Sequence, residues 1–318
     1  MARGNTGIAF TGGGSRSYIA ATGYLAALTE LGLMDNIRYI SGISGGNWAT
    51  LSYMYAQNKV DDSVLLGPIV DPADITEENL KKMDPDCMRG VTDADYVKQM
   101  LVYMLDGVQA GEAWMLTYQD VYLTPLGISD NQPFSWSEET IHAIKTANPS
   151  LADQAFTLPA NAKRPYSIVG TSNMGPAAGA PYTSGDNLNL TMLEVTPLYV
   201  GSMNTKEVEY HYHHGLKHTK TMGGAVEPFA YALYDKRAVP KQGLNNDDIT
   251  DSVMVPEFNN PLDLAHVGGA SSYAIGMFMD SLPEKLRTNL DYSMEYWSPV
   301  EKKPSGEKTL FADGEMGH

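Results

Sequence analysis

The sequence predicts an α/β protein with a central, mostly parallel sheet flanked by helices. Short apolar runs alternate with longer segments of helical spacing over residues 7–56, and this alternation is typical of strands linked by helices. Glycine-rich turns follow both of the first two strands, and no internal repeat interrupts the pattern. A chain of 318 residues can bury one large core or two modest ones, and we expect a single domain over residues 1–318.

The N-terminal elements follow one another closely. Residues 6–10 form a short apolar run that predicts a strand, and after a glycine turn residues 18–31 carry apolar side chains at helical spacing up to Gly32. Residues 37–40 predict the second strand and residues 47–57 the second helix. Strands linked in this way run parallel, so their carboxyl ends meet at one edge of the sheet, where α/β proteins place their sites.

The remaining two thirds of the chain have a looser pattern. Residues 61–165 contain acidic and proline-rich loops around one amphipathic helix at 94–105, which indicates a cap or insertion. Further strands are predicted at 166–173 and within 188–200, followed by a helix over 281–297 and a short apolar run at 310–312.

Charge and composition exclude some classes of partner. The formal net charge of −16 and the lack of lysine and arginine clusters argue against nucleic acid as a partner, and they disfavour a strongly anionic membrane. Cys87 is the single cysteine, so no intrachain disulfide can form. The N-terminus lacks an apolar stretch typical of a signal peptide, and we therefore expect an intracellular protein by default.

The segment GISGGNW contains a candidate nucleophile, Ser44. G-x-S-x-G between a strand and a helix is the pattern of a nucleophile elbow, in which a sharp turn exposes the serine hydroxyl. One strand earlier, TGGGSRS places three consecutive glycines before a helix, where unobstructed backbone N–H groups and the helix dipole suit an anion. A phosphate-binding loop is the rival interpretation. It fails for want of a lysine, and Ser17 stands where a dinucleotide-binding motif needs its last glycine.

Together the two motifs resemble a known family. TGGGSRSYIAATGYLAAL and YISGISGGNW look like the catalytic domain of the cytosolic phospholipase A2 group, within the patatin-like lipase superfamily. The resemblance implies a patatin-like topology and a lipid substrate at a membrane or micelle surface, with no cofactor. It also implies an oxyanion hole at Gly13 and Gly14, a lipid phosphate held by Arg16, and acylation of Ser44. LEVTPLYVG at 193–201 and HVGGASSYA at 266–274 are similar to further family segments.

This family uses a serine–aspartate dyad without histidine, and its aspartate stands in D-G or D-S-G after a late strand. Asp313, in LFADGEMG, fits that position. A carboxylate is a weaker base than imidazole by roughly two pK units, so such a dyad depends on the oxyanion hole and on desolvation. If a histidine triad operates instead, His266 or His318 is the candidate.

The sequence departs from the family pattern in two places. No calcium-binding C2 module precedes the motifs, so calcium-driven membrane docking is not implied. The sequence ends at His318, five residues after Asp313, where relatives continue. Three explanations stay open: natural cleavage with a second chain that continues after His318, a truncated sequence, or a short lineage.

The favoured function is a lipid acyl-ester hydrolase of the phospholipase A or lysophospholipase type, with no metal. One alternative is a lipid-binding or scaffold protein that kept the fold and lost turnover. The other alternative is a metalloprotein, because histidines two apart on a strand share one face and can bind zinc or copper. Those histidines lie in HYHHGLKH and are His211, His213, His214 and His218. The plainer interpretation of this segment is a polar surface hairpin.

Overall fold

The structure is a computed structural model. It describes residues 4–58, 60–82, 84, 87–90, 95–180, 182, 189–212, 215–231, 241–242, 253–254, 261–274, 292–301 and 306–314. The α-helices in these ranges are α1 Ser15–Glu30, α2 Ser44–Tyr55, α3 Asp62–Leu65, α4 Glu77–Leu80, α5 Tyr96–Leu105, α6 Ala110–Tyr118, α7 Glu138–Ala147 and α8 Leu264–Ser272. The strands are β1 Thr6–Phe10, β2 Ile37–Gly42, β3 Tyr166–Pro176, β4 Thr191–Val195, β5 Val200–His211, β6 Lys217–Val226, β7 Lys241–Gln242, β8 Val253–Met254, β9 Ser293–Tyr296 and β10 Glu307–Ala312.

The N-terminal unit confirms the predicted order of strand, helix, strand and helix. Both helices begin three residues earlier than predicted, because the glycine turn and the elbow pass directly into helical geometry at Ser15 and Ser44. Their N-cap residues are Gly14 and Ile43, and neither has a side chain that accepts a hydrogen bond from the first turn of its helix. The first N–H groups of these helices therefore depend on partners from elsewhere.

The predicted α/β class is confirmed by a sheet of eight strands flanked by helices. β1, β2 and β3 are parallel neighbours, and the glycine turn follows β1 while the elbow follows β2. β4, β5 and β6 extend the sheet in antiparallel pairs, and β10 and β9 also join it antiparallel, so the sheet is mixed. β7 and β8 pair separately.

One feature of the sheet brings distant parts of the sequence together. β2 runs parallel to β3, and its last residue, Gly42, pairs with Val169. β10 runs antiparallel to β3, and its last residue, Ala312, pairs with Ser172. At Val169 and at Ser172, β4 occupies the opposite edge of β3, so β2 and β10 lie end to end along the same edge. Their carboxyl ends therefore face each other across only two residues of β3.

The helix that follows the elbow lies in the middle of the core. Every residue of α2 from Ser44 to Tyr55 is buried, as expected for a helix covered on all sides. α1 and α8 both pack against α2. Trp48 stacks on Tyr122, with 4.9 Å between ring centroids, and so joins α2 to the turn of π-helix after α6.

Residues 61–165, the predicted cap or insertion, contribute helices α3 to α7 and no named strand in the part of the range that the structure describes. α6 packs against α5 and α8, so these helices continue the main core. A role as a movable cap stays a prediction. The helix predicted at 94–105 is present as α5.

The C-terminal prediction was wrong in part. Residues 293–296, predicted as the end of a helix, form strand β9, in which Met294 and Tyr296 are buried and their neighbours are half-buried. This alternation has a period of two and is typical of a strand paired with β10. Residues 281–291 of the predicted helix lie outside the described residues. Among the helices that the structure describes, none has the length and apolar character needed to cross a bilayer.

Candidate active site

Ser44 occupies a strained turn at the start of α2. Its φ of +50° lies in the left-handed region that non-glycine residues seldom adopt, as the elbow motif predicts. Its neighbours allow the turn to be tight: a Cβ built on Gly42 would lie 2.8 Å from the Asn47 Cα. Ser44 itself is 6% exposed, so the elbow is held within the core and the residue is less exposed than the motif predicts.

The glycine loop lies directly against this elbow. Gly13 and Gly14 have φ values of +132° and +62°, which side chains other than glycine rarely adopt. A Cβ built on Gly45 would lie 2.1 Å from the Gly14 carbonyl oxygen, so the two backbones are in contact without intervening side chains. The loop predicted to supply oxyanion donors therefore adjoins the residue after Ser44.

Asp313 reaches the same region from the far end of the sequence. It follows β10 directly and is 3% exposed. Across the two-residue gap along β3, a Cβ built on Gly314 would lie 3.0 Å from Ile43 Cγ2 and 2.5 Å from the Gly170 carbonyl oxygen. The residue before Ser44 thus contacts the residue after Asp313, and the two predicted dyad residues are brought to one place.

A serine that the sequence analysis did not single out supports the elbow. Ser271 in α8 is fully buried, accepts the backbone N–H of Ser44 at 3.2 Å and donates to the Gly170 carbonyl oxygen at 2.7 Å. It stands in HVGGASSYA, one of the segments that are similar to family segments, and residues 266–272 of that segment belong to α8. Nothing in a serine-rich small-residue helix marks one hydroxyl as the contact.

Arg16 lies at the mouth of an apolar groove. The groove has a volume of about 690 Å³ and runs between β1 and α1, lined by Gly12, Gly13, Phe10, Ala20, Tyr24 and Leu28 among others. Arg16 is exposed and also lines it, whereas Ser44 does not. The glycine loop therefore lines the groove through Gly12 and Gly13 and contacts the elbow through Gly14.

His266 has a structural partner. Its ring Nδ1 lies 2.7 Å from Asp263 Oδ1, and its backbone N–H donates to the same oxygen at 2.9 Å, so Asp263 caps α8. Burial of Asp263 opposes its ionisation, but the charge of His266 and the bonds from His266 and the Asn131 N–H together hold its pKa below the usual value. The other candidate histidine, His318, lies outside the described residues.

The histidine segment forms the end of the β5–β6 hairpin. His211 pairs with Lys217 across the strands and bonds Glu209 at 2.8 Å, whereas His218 pairs with Tyr210 and contacts the ring of Tyr212. Adjacent registers point to opposite faces, so His211 and His218 do not share a face. His213 and His214 lie outside the described residues, and within the described ranges no group of three potential ligands is close enough to hold a metal.

An elbow serine, an adjoining glycine loop and a buried late aspartate thus lie close together in this α/β protein. Residues 6–115 match the family model described as "Lysophospholipase catalytic domain". Human cytosolic phospholipase A2 delta is 44% identical over 63 residues, which are 20% of this chain and 8% of that protein. Mouse cytosolic phospholipase A2 gamma is 50% identical over 48 residues, which are 15% of this chain and 8% of that protein.

Among solved structures, human GIVD cytosolic phospholipase A2 is similar with a TM-score of 0.38 and 15% identity, over 86% of this chain and 28% of that one. The matched segments span less than a tenth of the delta and gamma relatives. The predicted resemblance to the cytosolic phospholipase A2 catalytic domain is confirmed, and the match to the family model lies over the part of the chain that carries the glycine loop and the elbow.

Proposed function

We propose that this protein hydrolyses an acyl ester of a lipid through an acyl-Ser44 intermediate. The observation that carries the proposal is the meeting of three separate segments beside the middle of β3: the elbow after β2, the glycine loop after β1 and Asp313 after β10. A nucleophile, backbone donors and a base within one small region are the parts that acyl transfer needs.

In this mechanism Ser44 Oγ attacks the ester carbonyl carbon while the Asp313 carboxylate accepts the hydroxyl proton. The N–H groups of Gly13 and Gly14 donate to the oxyanion of the tetrahedral intermediate. When the carbon–oxygen bond breaks, the departing alcohol takes the proton from Asp313. Water then attacks the acyl-serine ester and gives its proton to Asp313, and the release of the fatty acid returns the proton to Ser44.

Desolvation supports the choice of a carboxylate as base. Asp313 and Ser44 are both buried, so little water reaches the site, and electrostatic interactions between its groups are stronger there than in water. Backbone donors held by a fixed loop need no reorganisation when the oxyanion forms. Together these effects offset the low intrinsic basicity of a carboxylate.

Arg16 and the groove supply the lipid selectivity in this proposal. The guanidinium is an always-charged donor that pairs well with a phosphate, and the apolar lining suits a hydrocarbon tail. Since Ser44 does not line the groove, the groove takes the part of the lipid beyond the head group while the scissile ester lies over the elbow.

Active-site labelling tests this function directly. A fluorophosphonate that reports by intact mass is expected to modify the wild type once, and neither Ser44→Ala nor Asp313→Asn is expected to be labelled at a comparable rate. Cys87→Ser provides a control for labelling of the buried thiol, and it should keep the wild-type rate. Equal labelling of wild type and Ser44→Ala would exclude Ser44 as the nucleophile.

A further inference from the structure

The elbow lacks the capping partner that helix α2 needs. Its N-cap is Ile43, whose side chain cannot accept a hydrogen bond, and the N–H groups of Gly46 and Asn47 turn back to the Ile43 carbonyl oxygen at 3.0 and 3.2 Å. The Ser44 N–H is buried and needs an acceptor from outside its own helix. That acceptor is Ser271 Oγ of α8, which is 227 positions away in sequence.

The same hydroxyl also fixes the elbow to the sheet. Ser271 donates to the Gly170 carbonyl oxygen, and Gly170 is one of the two β3 residues between the facing ends of β2 and β10. The Gly170 carbonyl oxygen also lies beside Gly314, the residue after Asp313. One side chain therefore connects the backbone of Ser44 to the strand against which the Asp313 turn packs.

We infer that Ser271 is a positioning residue for the Ser44 nucleophile, acting through the Ser44 backbone; this rests on the proposed function. The left-handed backbone of Ser44 is strained and is retained only when its surroundings specify it. Without the Ser271 hydroxyl, the buried Ser44 N–H and the Gly170 carbonyl oxygen each lose a partner. The turn then relaxes, and Ser44 Oγ loses its alignment with Asp313 and with the glycine loop.

The next residue provides a matched control. Ser272 is also buried in α8, accepts the Trp114 Nε1–H at 3.3 Å and donates to the Gly268 carbonyl oxygen at 2.6 Å. Ser272→Ala therefore deletes the same atom, the same number of hydrogen bonds and a similar buried volume from the same helix. It leaves the bridge between the elbow and β3 intact.

The experiment compares Ser271→Ala, Ser272→Ala and wild type in two assays, fluorophosphonate labelling of Ser44 and hydrolysis of a lysophospholipid in micelles, with melting temperatures measured in parallel. We expect the two variants to melt at similar temperatures. We expect only Ser271→Ala to lower the labelling rate and kcat, by on the order of 10- to 100-fold, with KM within about threefold, as for a misplaced reacting group. Ser271→Cys, which is nearly the same size but a weak hydrogen-bonding group, should fold and show the same direction of change.

Equal rates for Ser271→Ala and Ser272→Ala, or a loss that is confined to KM, would overturn the positioning role. If Ser271→Ala does not fold, wild-type rates in Ser271→Cys would overturn it equally. A wild-type protein that is neither labelled nor active refutes the proposed function instead, so the two failures are distinguished.

Discussion

Replacing Gly45 by alanine introduces a methyl group where α2 contacts the glycine loop. The new Cβ would lie 2.1 Å from the Gly14 carbonyl oxygen, whereas real Cβ contacts shorter than 3.0 Å are essentially absent, so the loop and the helix must separate by about 1 Å. A shift of about 1 Å in a reacting geometry costs on the order of 100-fold in rate. Crowding of this kind also lowers the free energy of unfolding by about 1–3 kcal/mol.

Gly23→Ala is the matched control for this prediction. Gly23 also lies inside a helix, α1, but its added Cβ meets nothing within 4 Å. Alanine should therefore raise the free energy of unfolding by about 0.5–1 kcal/mol, because glycine loses more backbone entropy on folding. Its Ser44 labelling rate should stay at the wild-type value.

Two measurements decide the outcome: the second-order rate constant for fluorophosphonate labelling of Ser44, and urea unfolding followed by tryptophan fluorescence. We expect Gly45→Ala to remain folded at the assay temperature and to be labelled on the order of 100-fold more slowly than wild type. A folded Gly45→Ala protein labelled within a factor of two of wild type would refute the contact between loop and elbow as a determinant of reactivity.

Three further predictions concern stability, acidification and lipid binding. Arg164 forms two bonds to the Asp62 carboxylate at 2.7 and 2.8 Å and stacks 3.8 Å from the Tyr53 ring centre, so Arg164→Ala should lower the free energy of unfolding by about 3 kcal/mol and leave the labelling rate of folded protein unchanged. An unchanged urea midpoint would contradict this. Because the folded pKa of Asp263 is lowered, its stabilising contribution is present above the unfolded pKa of about 4 and is lost as the pH falls through the folded value. Urea midpoints of wild type and Asp263→Asn should therefore differ at pH 7 and converge at acid pH; a constant difference argues against it. Ala20→Trp fills the groove and should raise KM for a long-chain phospholipid about tenfold, which corresponds to roughly two methylenes of the lipid that are no longer buried. Ile19→Trp, on the exposed side of α1, should leave KM unchanged. Equal KM values for the two variants would show that the groove does not bind the lipid.

Local signals explain why the N-terminal half of the site was predictable. The strand of residues 6–10 has the predicted bounds, and Ser44 adopts the turn that its flanking glycines predict. These features depend on residues that are close in sequence, where glycine placement and apolar spacing dominate. The glycine loop and the elbow also lie within residues 6–115, the part that matches the family model.

Long-range features were not accessible from the sequence. The end-to-end arrangement of β2 and β10 depends on two pairings with β3 that no local pattern encodes, and the Ser44–Ser271 bond spans 227 positions. β9 was predicted as helix because its four residues are too few to separate a period of two from a helical period. Asp313 was assigned through the resemblance, and its place opposite the elbow follows from the sheet register alone.

Release of fatty acid from lipids tests most directly whether Ser44 and Asp313 hydrolyse a lipid ester. Wild type, Ser44→Ala and Asp313→Asn are incubated with phospholipids, lysophospholipids and neutral glycerides, and the products are identified by mass. We expect wild type to release fatty acid from at least one phosphate-containing lipid, and we expect neither variant to release it. Release by Ser44→Ala at the wild-type rate, or a folded wild type that is inactive on every lipid, would contradict it.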